Sequence, residues 1–170
     1  MNIRHLTVVT LTAFALLAQA AAAAATDRDT RLIERGKYLA QVGGCNDCHT
    51  PGYMESGGNV PVRQWLTGSS VGFQGPWGTT YPVNLRLRML DMTEDQWLAR
   101  AHAPMRPPMP WFNLSAMSDR DLIALYRFVR SLGPAGAPAP QAVAPGVAVA
   151  TPYIEFTPKN LPIPGQHAQR

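Results

Sequence analysis

The sequence predicts an all-α domain with three main helices joined by long loops. Apolar residues recur at helical spacing over residues 30–42 and 119–132, and capping residues mark a shorter helix over 93–102. Between the first two helices, residues 50–92 are broken by glycine and proline turns and have no convincing strand-length alternation. The 170 residues, 46% of them hydrophobic, suffice for one ordinary domain with a packed core.

Residues 1–25 are typical of a signal peptide. Arg4 supplies a positive charge, residues 6–17 form an apolar stretch, and the alanines that follow offer cleavage sites. We therefore expect a periplasmic protein whose mature chain begins near Thr26 and has no further transmembrane segment. The alternative is an uncleaved membrane anchor, because residues 6–25 approach the roughly 20 apolar residues that a spanning helix needs.

The first predicted helix, over residues 30–42, has Asp29 in position to cap it. Gly36 lies in its middle, where glycine costs about 1 kcal/mol relative to alanine. Close approach by another helix would explain why glycine occurs there. Gly43 and Gly44 then end the helix.

A C-x-x-C-H motif follows directly, formed by Cys45, Cys48 and His49. This spacing is the attachment signal of haem c. Two thiols on one short turn can bond to the two vinyl groups of one haem, and the histidine then lies beneath the porphyrin with its imidazole directed at the iron. Such iron takes histidine as one axial ligand and often methionine as the other. The motif predicts one covalently bound haem c with its iron, and His49 as an iron ligand.

Three other interpretations of the cysteine pair explain less. A thioredoxin-type dithiol would normally lie in a βαβ pattern, which is absent from the sequence. A zinc site needs four nitrogen or sulfur ligands, and only His102 and His167 remain in the mature chain beyond the motif. A disulfide suits an exported protein but leaves His49 unexplained.

Capping residues define the other two helices. Thr93 and Gln96 form a predicted capping box, and Pro104 ends the short helix. Ser118 caps the last helix, which runs over residues 119–132 and stops at the Gly-Pro pair that follows.

The second axial ligand has several candidates, namely Met54, Met89, Met92, Met105, Met109, Met117 and His102. Met109 lies between Pro108 and Pro110 on a loop before the last helix. Proline fixes φ and removes the backbone donor, so this loop can hold a thioether with little entropy left to lose. The pattern favours Met109, with Met105, His102 or an open position as alternatives.

In the order of its elements the chain resembles the class I c-type cytochromes. The matching segments are R-G-K-Y-L-A at 35–40, C-N-D-C-H-T at 45–50, P-P-M-P at 107–110 and M-S-D-R-D-L-I-A-L-Y at 117–126. The segment G-P-W-G-T-T-Y-P-V-N-L at 75–85 is similar to cytochrome modules that serve membrane-bound bacterial dehydrogenases. Those modules often continue with a Thr-Pro-Asp turn, where this chain has Arg86-Leu87-Arg88. The resemblance covers about residues 30–133.

The resemblance implies a class I cytochrome c fold, in which the first and last helices cross and one haem is wedged among loops. Gly36 would let the first helix approach the face around Leu125 and Val129. Met109 matches the ligand methionine of the family. We therefore divide the chain into a signal peptide (1–25), a haem domain (26–133) and a tail.

The tail, residues 134–170, is rich in alanine and proline and has no periodicity. Tyr153, Ile154 and Phe156 lie close together near its end. Disordered tails rarely keep three such residues close together. We expect a strap that packs on the haem domain, with a docking peptide as the alternative and His167 exposed.

A haem iron with histidine and methionine ligands has no vacant position, so we expect a one-electron carrier rather than an enzyme. The net charge is +4, and without a lysine or arginine cluster in the sequence we expect no nucleic-acid binding. The expected partners are redox proteins, either a dehydrogenase or a terminal oxidase. Two alternatives are a dedicated subunit of a dehydrogenase complex and, if Met109 is not a ligand, an iron that binds peroxide, oxygen or nitric oxide. The expected charged contacts to a partner are Arg63, Arg86, Arg88 and Arg106.

Overall fold

Helices make up most of the structure, a computed structural model that describes residues 3–160. The helices are α1 (Ile3–Val42), α2 (Cys45–His49), α3 (Leu85–Arg88), α4 (Glu94–His102), α5 (Trp111–Ser115) and α6 (Asp119–Ser131). Short 3-10 helices lie at Val62–Gln64 and Met89–Asp91, and the strands are β1 (Gly72–Gly75), β2 (Gly78–Thr80) and β3 (Tyr153–Glu155). Within the described residues, no helix combines the length and the apolar character needed to cross a membrane.

The first helix is far longer than the predicted segment of residues 30–42. α1 begins at Ile3 and continues to Val42 as one element. No glycine or proline occurs before Gly36, and alanine, which fills residues 20–25, has the highest helix propensity. Nothing in the local sequence therefore ends the helix between the expected signal peptide and Gly43.

The two predicted ends of this helix have different outcomes. Asp29 is not an N-cap, because it lies inside α1, and its carboxylate is 3.5 Å from Arg127 Nη1 of α6. The predicted stop is confirmed, since α1 ends just before Gly43 and Gly44. Gly44 has a φ of 68°, a left-handed conformation that glycine adopts without strain.

The crossing of α1 and α6 depends on Gly36. A Cβ atom at this position would collide with the backbone oxygen of Ala124 and come within 2.7 Å of Phe128 Cβ. The predicted close approach is thus confirmed, although it occurs at these two residues rather than around Leu125 and Val129. The helix backbones meet here because no side chain separates them.

The core lies where α1, α4 and α6 meet the loop that follows α2. Its largest buried side chains come from all of these elements, and they include Leu39, Trp65, Leu66, Met89, Trp97, Leu122, Leu125 and Phe128. Two hydrogen bonds fix α4 and the residues just before it against α6, from Trp97 Nε1 to Leu122 O and from the Tyr126 hydroxyl to Met92 O, both at 2.7 Å. The polar atoms of these large side chains are therefore satisfied inside the core.

The predicted caps of α4 and α6 are confirmed. In α4 the Thr93 hydroxyl accepts from Gln96 N, while the Gln96 side chain accepts from Thr93 N, which completes a capping box. In α6 the Ser118 hydroxyl accepts from Asp121 N. The Asp121 carboxylate does not return this bond, because it accepts from Arg35 Nε of α1 at 2.9 Å.

A three-stranded sheet, which the sequence did not indicate, lies within and beyond the long loop. β1 and β2 form an antiparallel hairpin, and β3 pairs with β1 in parallel, so the order is β2-β1-β3. The strands are only three or four residues long and contain glycine, so they give no readable alternation. The all-α expectation therefore holds for the helical framework but not for the whole domain.

Residues 134–156, which we call the strap, run along both edges of the hairpin. On the β2 edge Val143 and Thr79 exchange two backbone hydrogen bonds, of 2.9 and 3.0 Å. On the β1 edge Phe156 N donates to Gln74 O at 2.7 Å. The Phe156 ring also packs edge-on against Phe73, with centroids 5.6 Å apart. The last residues of the tail, 161–170, including His167, lie outside the described part of the chain.

Candidate haem-attachment site

Both cysteines of the motif lie on α2, a single short helix that begins directly after Gly44. Cys45 and Cys48 are half-buried, and neither forms a disulfide. Burial raises the pKa of the Cys45 thiol to about 11, and burial also raises the pKa of Cys48. These raised pKa values favour protonated thiols, whereas reactive dithiols have lowered thiol pKa values.

The imidazole of His49 is fixed by one backbone contact. Its Nδ1 atom lies 2.8 Å from the carbonyl oxygen of Val83. Because a carbonyl can only accept, Nδ1 carries the proton and donates it, which leaves the lone pair of Nε2 available to a metal. Burial lowers the pKa of this imidazole, which further favours the neutral ring.

A buried relay of polar atoms anchors α2 to the following loop. The Thr50 hydroxyl donates to Asn46 Oδ1 at 2.7 Å and accepts from Leu66 N at 2.8 Å. Leu66 is fully buried and has a φ of 62°, in the left-handed region, and its carbonyl accepts from Leu85 N at 3.1 Å. Sequence reasoning missed this relay, and its one visible signal is the pair of polar residues Asn46 and Thr50, four positions apart in α2 and its C-cap.

Met109 lies in the loop that leads into α5, and its side chain packs partly buried against the main core, as does that of Met105. Its carbonyl accepts from Trp111 N at 2.8 Å. Two positions before it, the Pro107 carbonyl accepts from the Thr80 hydroxyl at 2.7 Å. The loop is thus bonded on both sides of the methionine.

The rival ligand His102 is engaged elsewhere. It is exposed, and its Nε2 lies 2.9 Å from Asp119 Oδ1 while its Nδ1 lies 3.2 Å from Ser115 O. Met54 is also unsuited, since 53% of its surface is exposed. The donors that remain favourable are therefore methionines packed on the core.

Arg86 is not the surface contact that the sequence suggested. It is only 5% exposed, and its guanidinium donates to Gly133 O at 2.6 Å, to Arg63 O at 2.7 Å and to Leu132 O. Two of these carbonyls lie at the C-terminal end of α6, where cations are favoured. Arg86 thus fastens α3 to α6, and only Arg63, Arg88 and Arg106 remain exposed.

An arginine cluster that the sequence did not reveal lines a groove between α1 and α6. Arg28, Arg31 and Arg35 follow one another at helical spacing, and Arg120 faces them from α6. Arg31 forms an ion pair with Asp27, and Arg35 forms one with Asp121 of α6. The net charge of the groove is therefore modest, which agrees with the weak charge of the whole chain.

The donor set of α2 fits a haem c. Cys45 and Cys48 present unpaired thiols from one turn of helix, and His49, which directly follows Cys48, offers a deprotonated Nε2. No groups of three or more histidine, cysteine or acidic residues that could hold a separate metal ion occur among the described residues. The chemistry of these donors matches two thioether bonds and one iron ligand.

Comparison with known proteins agrees with this geometry. The family model for Cytochrome c matches residues 33–133. The cytochrome c subunits of alcohol dehydrogenase (quinone) from Gluconacetobacter polyoxogenes and Komagataeibacter europaeus are each 28% identical over 128 residues, which is 68% of this chain and 25% of the relative. The corresponding subunit of Gluconobacter oxydans is 29% identical over 120 residues, which is 63% of this chain and 23% of the relative.

The chain thus spans about a quarter of the length of the curated relatives that it matches. No solved structure matches it significantly. The family match covers more than half of the chain and includes both the C-x-x-C-H motif and the last helix. The chain therefore belongs to the cytochrome c family, as a class I c-type cytochrome similar to dehydrogenase modules, and it carries covalently bound haem c with its iron.

Proposed function

We propose that this electron-transfer haem protein is a periplasmic one-electron carrier with a single haem c. Cys45 and Cys48 would hold the haem, and His49 and Met109 would be the two axial ligands. The observation that carries the proposal is the bond from His49 Nδ1 to Val83 O, because it directs a deprotonated Nε2 away from the backbone. Export would depend on residues 1–25 as a cleaved leader.

The residues around His49 favour a stable ligand. A histidine that donates its second ring N–H to a carbonyl has a fixed orientation and a more basic ligating nitrogen. The relay through Thr50 holds α2 in place against the loop that follows. When bound, the haem supplies an iron that cycles between Fe(II) and Fe(III).

Met109 is the preferred second ligand for two reasons. Its loop is stiffened by Pro108 and Pro110, and its own carbonyl is held by Trp111 N at 2.8 Å. A neutral thioether from this position would favour the reduced state of the iron. With both axial positions filled by the chain, substrate has no place on the metal, so the role is electron transfer between proteins.

A dehydrogenase is the preferred partner, and permanent assembly with one is the second candidate function. The similar proteins named above are cytochrome c subunits of alcohol dehydrogenase (quinone). The strap in this chain presents exposed apolar side chains, with Tyr153 48%, Ile154 43% and Phe156 43% exposed. Such a surface favours a lasting contact over a brief one. Co-purification with the dehydrogenase would distinguish a subunit from a freely diffusing carrier.

The holoprotein itself tests the proposal. Protein matured in the periplasm should have the intact mass of the chain from about Thr26 plus one haem, and this haem should survive acid-acetone extraction. Carbon monoxide added to the reduced protein should leave the absorption spectrum unchanged, because both axial positions are filled. Extractable haem would contradict covalent attachment, and a spectral shift would instead favour an iron that binds peroxide, oxygen or nitric oxide.

A further inference from the structure

The loop that carries Met109 has almost no backbone donors of its own. Pro107, Pro108 and Pro110 lack an N–H group, so within residues 107–110 only the methionine can donate. The loop must therefore be held through its carbonyl oxygens. Two of these oxygens accept from amides of α5, since Trp111 N donates to Met109 O and Asn113 N donates to Pro110 O.

The third carbonyl, that of Pro107, is held by β2. The Thr80 hydroxyl lies 2.7 Å from Pro107 O and 3.4 Å from Phe73 O, its neighbour in the sheet. A hydroxyl has one hydrogen to donate, and the shorter contact has the length of a good O–H···O bond. Thr80 therefore donates to the loop, across 27 residues of chain.

The strand that carries Thr80 is itself held firmly. Its neighbour Thr79 exchanges backbone bonds with Val143 of the strap, and β1 is paired on both sides, with β2 and with β3. Gly78 allows the strap to lie against the hairpin, because a Cβ atom there would collide with Val143 O. A donor on such a braced hairpin can fix a loop more tightly than a donor on a mobile segment.

We propose that Thr80 is a positioning residue for the axial ligand Met109. Its hydroxyl, anchored by the strapped hairpin, holds the start of the proline loop and so reduces the population in which the thioether has left the iron. This inference rests on the proposed ligation by Met109. The strap lies beyond residues 33–133, so the family match does not include the bracing that fixes Thr80.

Imidazole is a suitable probe, because it binds the ferric iron only when the methionine has left. A net hydrogen bond contributes about 1 kcal/mol, so Thr80→Val should raise the apparent affinity of the oxidised holoprotein for imidazole about fivefold. Thr80→Ser keeps the hydroxyl and should restore the affinity of the unmodified protein. The titration is followed by loss of the weak far-red sulfur-to-iron band.

Thr79→Val is the matched control. It removes a hydroxyl from the adjacent residue of the same strand, but that hydroxyl accepts from Gln74 Nε2 at 2.9 Å and does not contact the loop. The imidazole affinity of this variant should remain within about twofold of the unmodified protein. The proposal would be overturned if Thr80→Val had the same imidazole affinity as the unmodified protein, or if Thr80→Val and Thr79→Val raised the affinity equally.

Two further variants keep these outcomes separate from folding and from the ligand assignment. Urea unfolding of each holoprotein checks the fold, and Thr80→Ala replaces Thr80→Val, with the same expected shift, if the valine variant does not fold. Met109→Leu should abolish the far-red band before any imidazole is added. If the band survives in Met109→Leu, the proposed ligation fails. If the band is lost there but Thr80→Val is unchanged, only the positioning role fails.

Discussion

Met109 and Met105 are the two leading candidates for the second ligand of the haem iron. Both are partly buried against the same core, and they lie four positions apart on one loop. Only Met109 is flanked by prolines on both sides and followed by a bonded turn into α5. The choice therefore depends on the rigidity of the backbone and not on burial.

Replacement of each methionine gives a direct comparison. Met109→Ala should remove the far-red band of the oxidised protein and lower the redox potential, because a soft neutral ligand is lost. Met105→Ala, the matched control, should keep the band and should cost only stability, about 2–4 kcal/mol at most for a truncated core methionine. Absorption spectroscopy and potentiometry measure both effects. The reverse result would identify Met105 as the ligand.

Single residues also mark the limit of what the sequence could predict about the site. Cys45, Cys48 and His49 were evident because haem attachment needs residues that are adjacent in the chain. The partners that orient them were not evident. Val83 contributes only a backbone oxygen, which no residue type signals, and Leu66 adopts a left-handed conformation that favours glycine.

Among the elements, the crossing of α1 and α6 has the least tolerance for change. At Gly36 the backbones are so close that a methyl group has no space beside Ala124 and Phe128. Alanine would increase the helix propensity of α1 by about 1 kcal/mol. The steric cost of separating two packed helices is larger, so the net effect should be destabilising.

We expect Gly36→Ala to lower the free energy of unfolding of the holoprotein by about 1–3 kcal/mol, as overpacking of a close contact does. Gln41→Ala, on the exposed face of the same helix, also replaces a residue by alanine and should change stability by less than about 0.5 kcal/mol. Urea titration at equilibrium measures both. A Gly36→Ala variant as stable as the unmodified protein would mean that the helices can separate at little cost.

The elements that the sequence predicted are those with strong local signals. The caps at Thr93 and Ser118 and the stop before Gly43 were correct, because a cap involves residues only a few positions apart. The sheet was not predictable, since β1 pairs with β3, which follows α6 in the sequence. The helical conformation before residue 30 was not predicted, because those residues were interpreted mainly as a signal peptide.

At the scale of the whole molecule, two groups of exposed arginines lie in separate regions. Arg63, Arg88 and Arg106 are exposed in the segment between α2 and α5, while Arg86 is buried. The arginine groove between α1 and α6 lies on other elements and is partly neutralised by its own aspartates. Electrostatic attraction of an anionic partner should therefore depend on Arg63, Arg88 and Arg106.

Oxidation of the reduced holoprotein by hexacyanoferrate(III) tests this distribution. We expect the bimolecular rate to fall as salt is added, since ions screen charges over about 10 Å at 0.1 M. Arg88→Glu should lower the rate about two- to fivefold at low salt without changing the redox potential. Arg120→Glu, the same charge change in the groove, should have a smaller effect.

A rate that does not vary with ionic strength would show that these arginines have no role in steering.

The strap also has a consequence for the order in which the chain folds. The β1–β2 hairpin is local, but α3, α4, α5 and α6 lie between β1 and β3 in the sequence, so these two strands pair over a long distance along the chain. Closing so long a loop costs more entropy than closing a short one, which delays non-local pairing. We therefore expect the strap to dock after the local hairpin has formed, because it can bind only a hairpin that is already in place.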